Sequence, residues 1–333
     1  MNKFTDYNLI KLDELYSQPL EIDWLVEDYI PSDSIGMLFG ASGSGKSHIA
    51  LSLAVSIANG TKWFDQRTKE GDVLILAGEG NNGLQRRLKA IEAEHETTIN
   101  PERIFFSERP IGLDTDEGFD DAVTAIDNLG RDLDLIVIDT LSRHLLKSAE
   151  NSNDDMAQFI NRLEQLRHRY ECTVLVVHHT GKSSQQGARG ASALKANIDF
   201  SFAVQKGDNK ICRLTCDKQK DADDDLPAKH FLIKGVELGE TDTNGNAITG
   251  ACIVEANDMP SISMTKGIDY EQLAIDTFNP EKPLWQEAFV EACEDKSKAD
   301  SKKKRFRGVI DGLLGAGKIS VTDDECYVID SDS

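Results

Sequence analysis

The sequence predicts an α/β protein: a mostly parallel sheet flanked by helices, with antiparallel strands at one edge and a small C-terminal domain. Three observations carry this expectation. Short apolar runs alternate with amphipathic stretches between Ile35 and Val177, a glycine-rich loop joins the first of those runs to an apolar helix, and after Asp199 the pattern changes to consecutive strands separated by turns.

Residues 1–30 read as an N-terminal arm, whose opening MNKFTDYNLIKLDEL lacks the apolar stretch of a signal peptide. The core, 31–258, begins with IGMLF and continues with VLILA (Val73 to Ala77), RIFFS (Arg103 to Ser107), LIVID (Leu135 to Asp139) and TVLVV (Thr173 to Val177). Runs this apolar suit parallel strands covered on both faces. Between the last two, Met156, Phe159, Ile160, Leu163, Leu166 and Tyr170 recur at helical spacing, behind an NSNDD stretch that supplies N-cap side chains. FSFAVQKG, KICRLTCDK, AKHFLIKGVEL and ACIVEA follow, joined by turns such as DTNGN, and are expected to extend the sheet antiparallel at one edge. MPSISMTKG opens a linker, 259–280. In 281–333, PLWQEAFVEACEDK and SKKKRFRGVIDGLLGAG read as helices, followed by KISV, a TDDE turn and CYVID. Helix, basic helix and hairpin in that order describe a winged helix-turn-helix.

The 37 basic and 58 acidic side chains leave a net charge of −21. Duplex DNA carries about one negative charge per 1.7 Å of axis, so this surface repels nucleic acid overall and any DNA contact must be local. No run approaches the roughly 20 apolar residues of a membrane helix, and a cytoplasmic protein without a membrane partner is expected. The cysteines, Cys172, Cys212, Cys216, Cys252, Cys293 and Cys326, are scattered without a CxxC pair, which predicts reduced thiols and no metal site built from them.

GASGSGKS (Gly40, Ala41, Ser42, Gly43, Ser44, Gly45, Lys46, Ser47), with His48 next, has the spacing of a phosphate-binding loop in its proper context, a strand before and a helix after. Its amides and the helix N-terminus would cradle ATP phosphates, Lys46 would reach the β- and γ-phosphates, and Ser47 would hold Mg²⁺. GLLGAGKI (Gly312 to Ile319) shares the glycine spacing but ends a helix, and Ile319 has no hydroxyl to offer a metal. Polar residues then recur at strand tips, where open parallel sheets bind ligands: Glu79 after VLILA, Asp139 ending LIVID, His178 and His179 after TVLVV. Asp139 is assigned to the Mg²⁺ shell and Glu79 to orienting or deprotonating the attacking water.

Taken as a set, the P-loop, GE after the second strand, DTLSR after the fourth, HHTGK after the fifth, ARGASAL and KQKD resemble the RecA-like ATPase core of the RepA-type hexameric replicative helicases of plasmids and phages. The resemblance runs from about Trp24 to about Val254. It implies a RecA-like P-loop NTPase fold, ATP and Mg²⁺ as cofactors, Glu79 as catalytic glutamate, Asp139 as the Walker B aspartate and His179 as a sensor between γ-phosphate and DNA loops. It also implies a homo-oligomeric ring, a hexamer in that family. The family prototype's arginine finger has no counterpart, since LKANIDF offers only Lys195 and Asp199. Lys218 and Lys220 of CDKQKD are instead similar to the paired basic residues that RecA-like proteins insert into a neighbour's site, and their alternating spacing puts both on one strand face.

By the same resemblance, SRHLLKSAENSN and TGKSSQQGARGAS are DNA loops, with Arg143, Lys147, Lys182 and Arg189 as basic candidates. No aromatic residue lies between His179 and Phe200, so backbone tracking fits single-stranded DNA better than base stacking. The C-terminal basic helix adds Lys303 and Arg305 within KKKRFR. The expected function is an ATP-driven ring translocase or helicase on single-stranded DNA in plasmid, phage or mobile-element replication, with a replication initiator or primase as a further partner. Two alternatives stand beside it. One is a RecA-like recombinase or annealing ATPase, for which Phe289 and Ala292 give an FxxA whose place in an expected helix points to core packing instead, and against which the lack of loop aromatics speaks; the other is a nucleotide-switched DNA-binding regulator or helicase loader, against which a water-activating Glu79 speaks.

Overall fold

A computed structural model describes residues 11–17, 19–78, 81–145, 153–180, 194–207 and 210–256, together with 285, 306, 309–310, 319–321 and 327–329. The chain divides into two compact units, Met1–Asp258 and Met259–Ser333.

The first unit opens with a short helix, α1 (Leu12–Tyr16), and an antiparallel ribbon of β1 (Trp24–Val26) and β2 (Ile30–Pro31), which crosses from the segment expected to be an arm into the core. Then come β3 (Ile35–Gly40), α2 (Lys46–Asn59), β4 (Asp72–Ala77), α3 (Asn81–Glu94), β5 (Ile104–Phe106), α4 (Asp116–Leu129), β6 (Leu133–Asp139), α5 (Asn153–Tyr170) and β7 (Thr173–His179). The series closes with β8 (Phe200–Lys206), β9 (Ile211–Gln219), β10 (Lys229–Thr241) and β11 (Ala247–Glu255). Among the described residues these form one sheet in the order β11-β10-β9-β8-β3-β7-β6-β4-β5. The five apolar runs all lie parallel in it, as the RecA-like reading requires.

The antiparallel edge starts one strand later than expected. β8 runs parallel to β3, pairing Gly36 with Phe200 and Phe39 with Ala203, and only β9, β10 and β11 alternate in direction. β7 ends level with Gly40 whereas β8 begins level with Gly36, so the chain between them returns to the starting rim, and a strand entered after such a return is parallel.

Alternate residues of the central strands enter two different cores. Leu38, Val73, Ile75 and Val137 pack with Ile49, Leu53 and Ile57 of α2 on one face. Their neighbours Met37, Leu74, Ile136 and Ile138 pack with Phe119 and Ile126 of α4 and Phe159 and Leu163 of α5 on the other. That is the period-2 consequence of a strand covered on both sides, and each fully buried side chain stabilises by about 1.5–3 kcal/mol. Helix α2 lacks a polar face because it is enclosed. The antiparallel strands curl round it, bringing Phe231, Cys252 and Ile253 into the same core. They also reach α3, where a Cβ on Gly250 of β11 would fall 2.1 Å from the Arg86 carbonyl oxygen. Lys89–Glu240 and Lys234–Glu94 ion pairs, at 2.6 and 2.7 Å, fasten the same contact.

In the second unit, β12 (Ile319–Val321) pairs antiparallel with β13 (Tyr327–Ile329), on the KISV and CYVID runs. Trp285 stands edge-on to Phe306 at 5.4 Å, and both rings and Ile310 are buried. The expected linker and most of the two expected helices lie outside the described residues. Among the described residues no helix is long and apolar enough to cross a membrane.

Candidate active site

The phosphate-binding loop turns between β3 and α2. Gly43 and Gly45 both adopt positive φ, 75° and 99°, a region glycine enters without steric cost, and Gly45 caps α2 in that conformation. No acidic residue occupies the first turn of α2, so its positive dipole end is left for an anion. Lys46, only 2% exposed, donates from Nζ to the carbonyl oxygens of Gly40 and Ala41 at 2.9 and 2.8 Å. Burial pulls its pKa down to about 8 against an opposing pull from Asp139.

One residue on, Ser47 Oγ donates to Asp139 Oδ1 at 3.1 Å, so the loop hydroxyl and the tip of β6 meet across 92 residues of sequence. Sheet register assembles the rest of this rim. Asp139 is level with Ala77 of β4 and Val177 of β7, while Gly40 is level with His179, and Thr180 donates its amide to the Gly40 carbonyl at 3.0 Å. His178, one position earlier, is level with Phe39 and buried.

A family model described as an AAA domain matches residues 4–185, more than half of the chain. The chain belongs to the AAA domain family. It is therefore a P-loop ATPase.

The AAA-domain rim fits a nucleotide triphosphate with its metal. Lys46 is a desolvated cation answered by two loop carbonyls, and Ser44 Oγ is buried in the loop without a hydrogen-bond partner among the described residues. Such a cradle suits a polyanion. The Ser47 hydroxyl and Asp139 carboxylate are hard oxygen donors of the kind Mg²⁺ prefers, and they would hold it. Bound there, Mg²⁺ would neutralise charge developing on the phosphates. Beside the pair, a cleft of about 200 Å³ runs between α2, α3 and the sheet, lined among others by Ser47, Gly78, Leu84, Arg87 and Asp139. It is smaller than the ~300–1,000 Å³ that encloses a whole small molecule, and Ser47 is the one residue of the phosphate-binding loop among those lining it.

Arg87 was not legible as a site residue. Arg86, Arg87 and Lys89 are alike in the sequence, whereas in the structure β11 lies against Arg86 and Ala90 and Arg87 lines the cleft. Its charge acts on His48, whose pKa falls to about 4, first through burial and then through Arg87. His48 is thus neutral and half-buried directly after the phosphate-binding loop.

The remaining expected residues of this AAA-domain protein divide by place. Arg143 is exposed on the 3-10 turn Leu141–Arg143, directly after β6 and close to the nucleotide rim. Lys218 and Lys220 are at the opposite rim: Lys218 pairs with Ser201, at the start of β8, and Lys220 donates its amide to the Asp199 carbonyl. They do share a direction, but toward their own chain. Lys218 Nζ donates to the carbonyls of Lys195 (2.9 Å), Ala196 (3.3 Å) and Ile198 (2.5 Å). Lys220, with a side chain 62% exposed, pairs with Asp199 at 3.3 Å, and Lys195 pairs with Asp217 at 2.7 Å. Glu79, Lys147, Lys182, Arg189, Lys303 and Arg305 lie outside the described residues.

Proposed function

We propose that this ATPase is a ring-forming motor that tracks single-stranded DNA, with Lys220 completing the nucleotide site of the adjoining copy. The observation that carries the proposal is the position of Lys220. β3 joins the two rims, and its six residues span roughly 20 Å at about 3.3 Å each, farther than a lysine side chain reaches. An exposed cation on the far rim cannot act on its own nucleotide; it can act on a neighbour's. Lys218 is less suited to that task, since three carbonyls of its own chain already engage its ammonium.

DNA enters the proposal through Arg143, exposed on the turn leaving Asp139, and through the resemblance that assigns Lys147, Lys182 and Arg189 to neighbouring loops. A basic channel inside an acidic ring reconciles local attraction with a net charge of −21. A hexamer, strand separation, a role in plasmid or phage replication with an initiator or primase, and a winged helix presenting Lys303 and Arg305 to DNA extend the same proposal.

The test is ATP turnover per subunit, with and without single-stranded DNA, over a dilution series whose mass distribution is followed in parallel. Turnover that rises with assembly and with DNA, accompanied by displacement of an annealed strand, is expected. Filaments that pair strands would favour a recombinase, and slow turnover indifferent to DNA and dilution would favour a nucleotide-switched regulator.

A further inference from the structure

We propose that His144 is a positioning residue that couples the turn after β6 to the tip of β4, so that an event on the turn is felt at the nucleotide rim. The inference rests on the DNA-motor reading above. His144 is fully buried and its ring stands among three main-chain groups. Nε2 is 3.1 Å from the Leu76 carbonyl oxygen, and Nδ1 is 3.2 Å from the Ile111 amide nitrogen and 2.9 Å from the Ile111 carbonyl oxygen. Protonated on Nε2, a neutral imidazole donates to Leu76 and accepts from the Ile111 amide; protonated on Nδ1, it donates to the Ile111 carbonyl instead, so either neutral tautomer is held by main chain. Burial lowers the ring's pKa below its ordinary value, in keeping with the neutral form.

The groups so joined are the ones a motor must connect. Leu76 lies two residues before Gly78, whose amide donates to the Asp139 carbonyl at 2.6 Å, and the chain leads from there to Glu79. On the other side, residue 144 follows Arg143, whose Cβ stands 2.5 Å from where a Cβ on Gly78 would be. The main chain of His144 is tied as well: its carbonyl accepts from the Leu113 amide at 2.9 Å and its amide donates to Leu141 at 3.0 Å. Three segments far apart in sequence, the ends of β4 and β6 and the 111–113 stretch, therefore meet at one ring. His144 is not among the residues lining the cleft, so its influence on phosphates is indirect.

A phenyl ring would fill the same space without the ring nitrogens that meet the Leu76 carbonyl and the Ile111 amide. The chosen comparison is thus His144→Phe against His144→Gln, whose terminal amide can still donate to Leu76. In His144→Phe the ratio of DNA-stimulated to basal ATP turnover is expected to fall roughly 2- to 30-fold, the range seen when a coupling residue is removed, with nucleotide affinity unchanged. His144→Gln should restore part of the ratio. In the wild-type protein, which guards against a variant that fails to fold, DNA should slow hydrogen exchange at the Gly78, Ile111 and Leu113 amides. Wild-type turnover deaf to DNA would overturn this inference together with the motor reading. A wild type that responds to DNA, beside an equal response in His144→Phe or unaltered exchange at all three amides, would overturn this inference alone.

Discussion

The two rims of the central sheet treat their lysines differently. At the P-loop rim Lys46 is withdrawn from water, bound to the carbonyls of Gly40 and Ala41, and lowered in pKa to about 8. At the other rim Lys220 stands mostly in solvent with one carboxylate partner, Asp199. The first arrangement stores a cation where only an incoming anion can replace its weak carbonyl partners. The second keeps a cation available to a surface that approaches from outside. An ATPase whose turnover depends on an adjoining copy needs both, one to bind and one to complete.

Removing each lysine in turn separates these roles, and the largest loss belongs to Lys46. Lys46→Ala should abolish both nucleotide binding and hydrolysis, measured by titration with a fluorescent nucleotide and by phosphate release, because it deletes the cation that the loop is built around. Retained binding of ordinary strength would mean that the cradle works without it and that the buried ammonium is structural. Lys220→Ala should leave binding intact and lower assembled turnover instead. A cationic finger contributes ~10³–10⁵ in rate in related phosphoryl transfers, so the defect should be plain. Mixing the variant with wild-type protein sharpens the contrast, since a residue acting in trans depresses turnover of its wild-type neighbours. A loss strictly proportional to the fraction of variant would place Lys220 in its own site, against the geometry described above.

What was legible in the sequence at these rims follows from how local the signal is. The loop, Lys46 and Ser47 are one contiguous stretch between a strand and a helix, and Asp139 ends an apolar run, so residue types alone mark them. The 3.1 Å bond between Ser47 and Asp139 then depends only on β3 and β6 sharing a parallel sheet. Non-local choices were not legible. The direction of β8 is set by where the chain returns after β7, not by FSFAVQK itself. Arg87 lines the cleft from α3, and Gly250 lets β11 lie against that helix, a contact between residues remote in sequence. His144 looks like any isolated histidine until Leu76 and Ile111 are seen on either side of its ring. Lys218 has the spacing of a paired finger, yet the 195–198 segment that claims its ammonium gives no sign of doing so in advance.

The smallest expected effect is graded by pH and belongs to the P-loop rim. Because the free protein holds Lys46 near pKa 8, its ammonium deprotonates well before an ordinary lysine at about 10.4. A triphosphate in the cradle favours the charged form, so above pH 8 binding must take up a proton. Affinity is therefore complete below about pH 8 and falls as pH rises, by up to ~tenfold per unit. Fold stability moves the other way in the same window. The unfolded chain keeps this proton to about pH 10.4 while the folded one releases it near 8, so Lys46 contributes stability as pH rises and unfolding cannot account for lost binding. Nucleotide dissociation constants measured from pH 7 to about 9.5, alongside thermal melts, read both trends. Lys46→Arg, which stays charged throughout, should flatten the affinity profile whatever its absolute strength. A wild-type profile already flat across that range would show that the loop carbonyls keep Lys46 charged, and the contrast between the two rims would reduce to exposure alone.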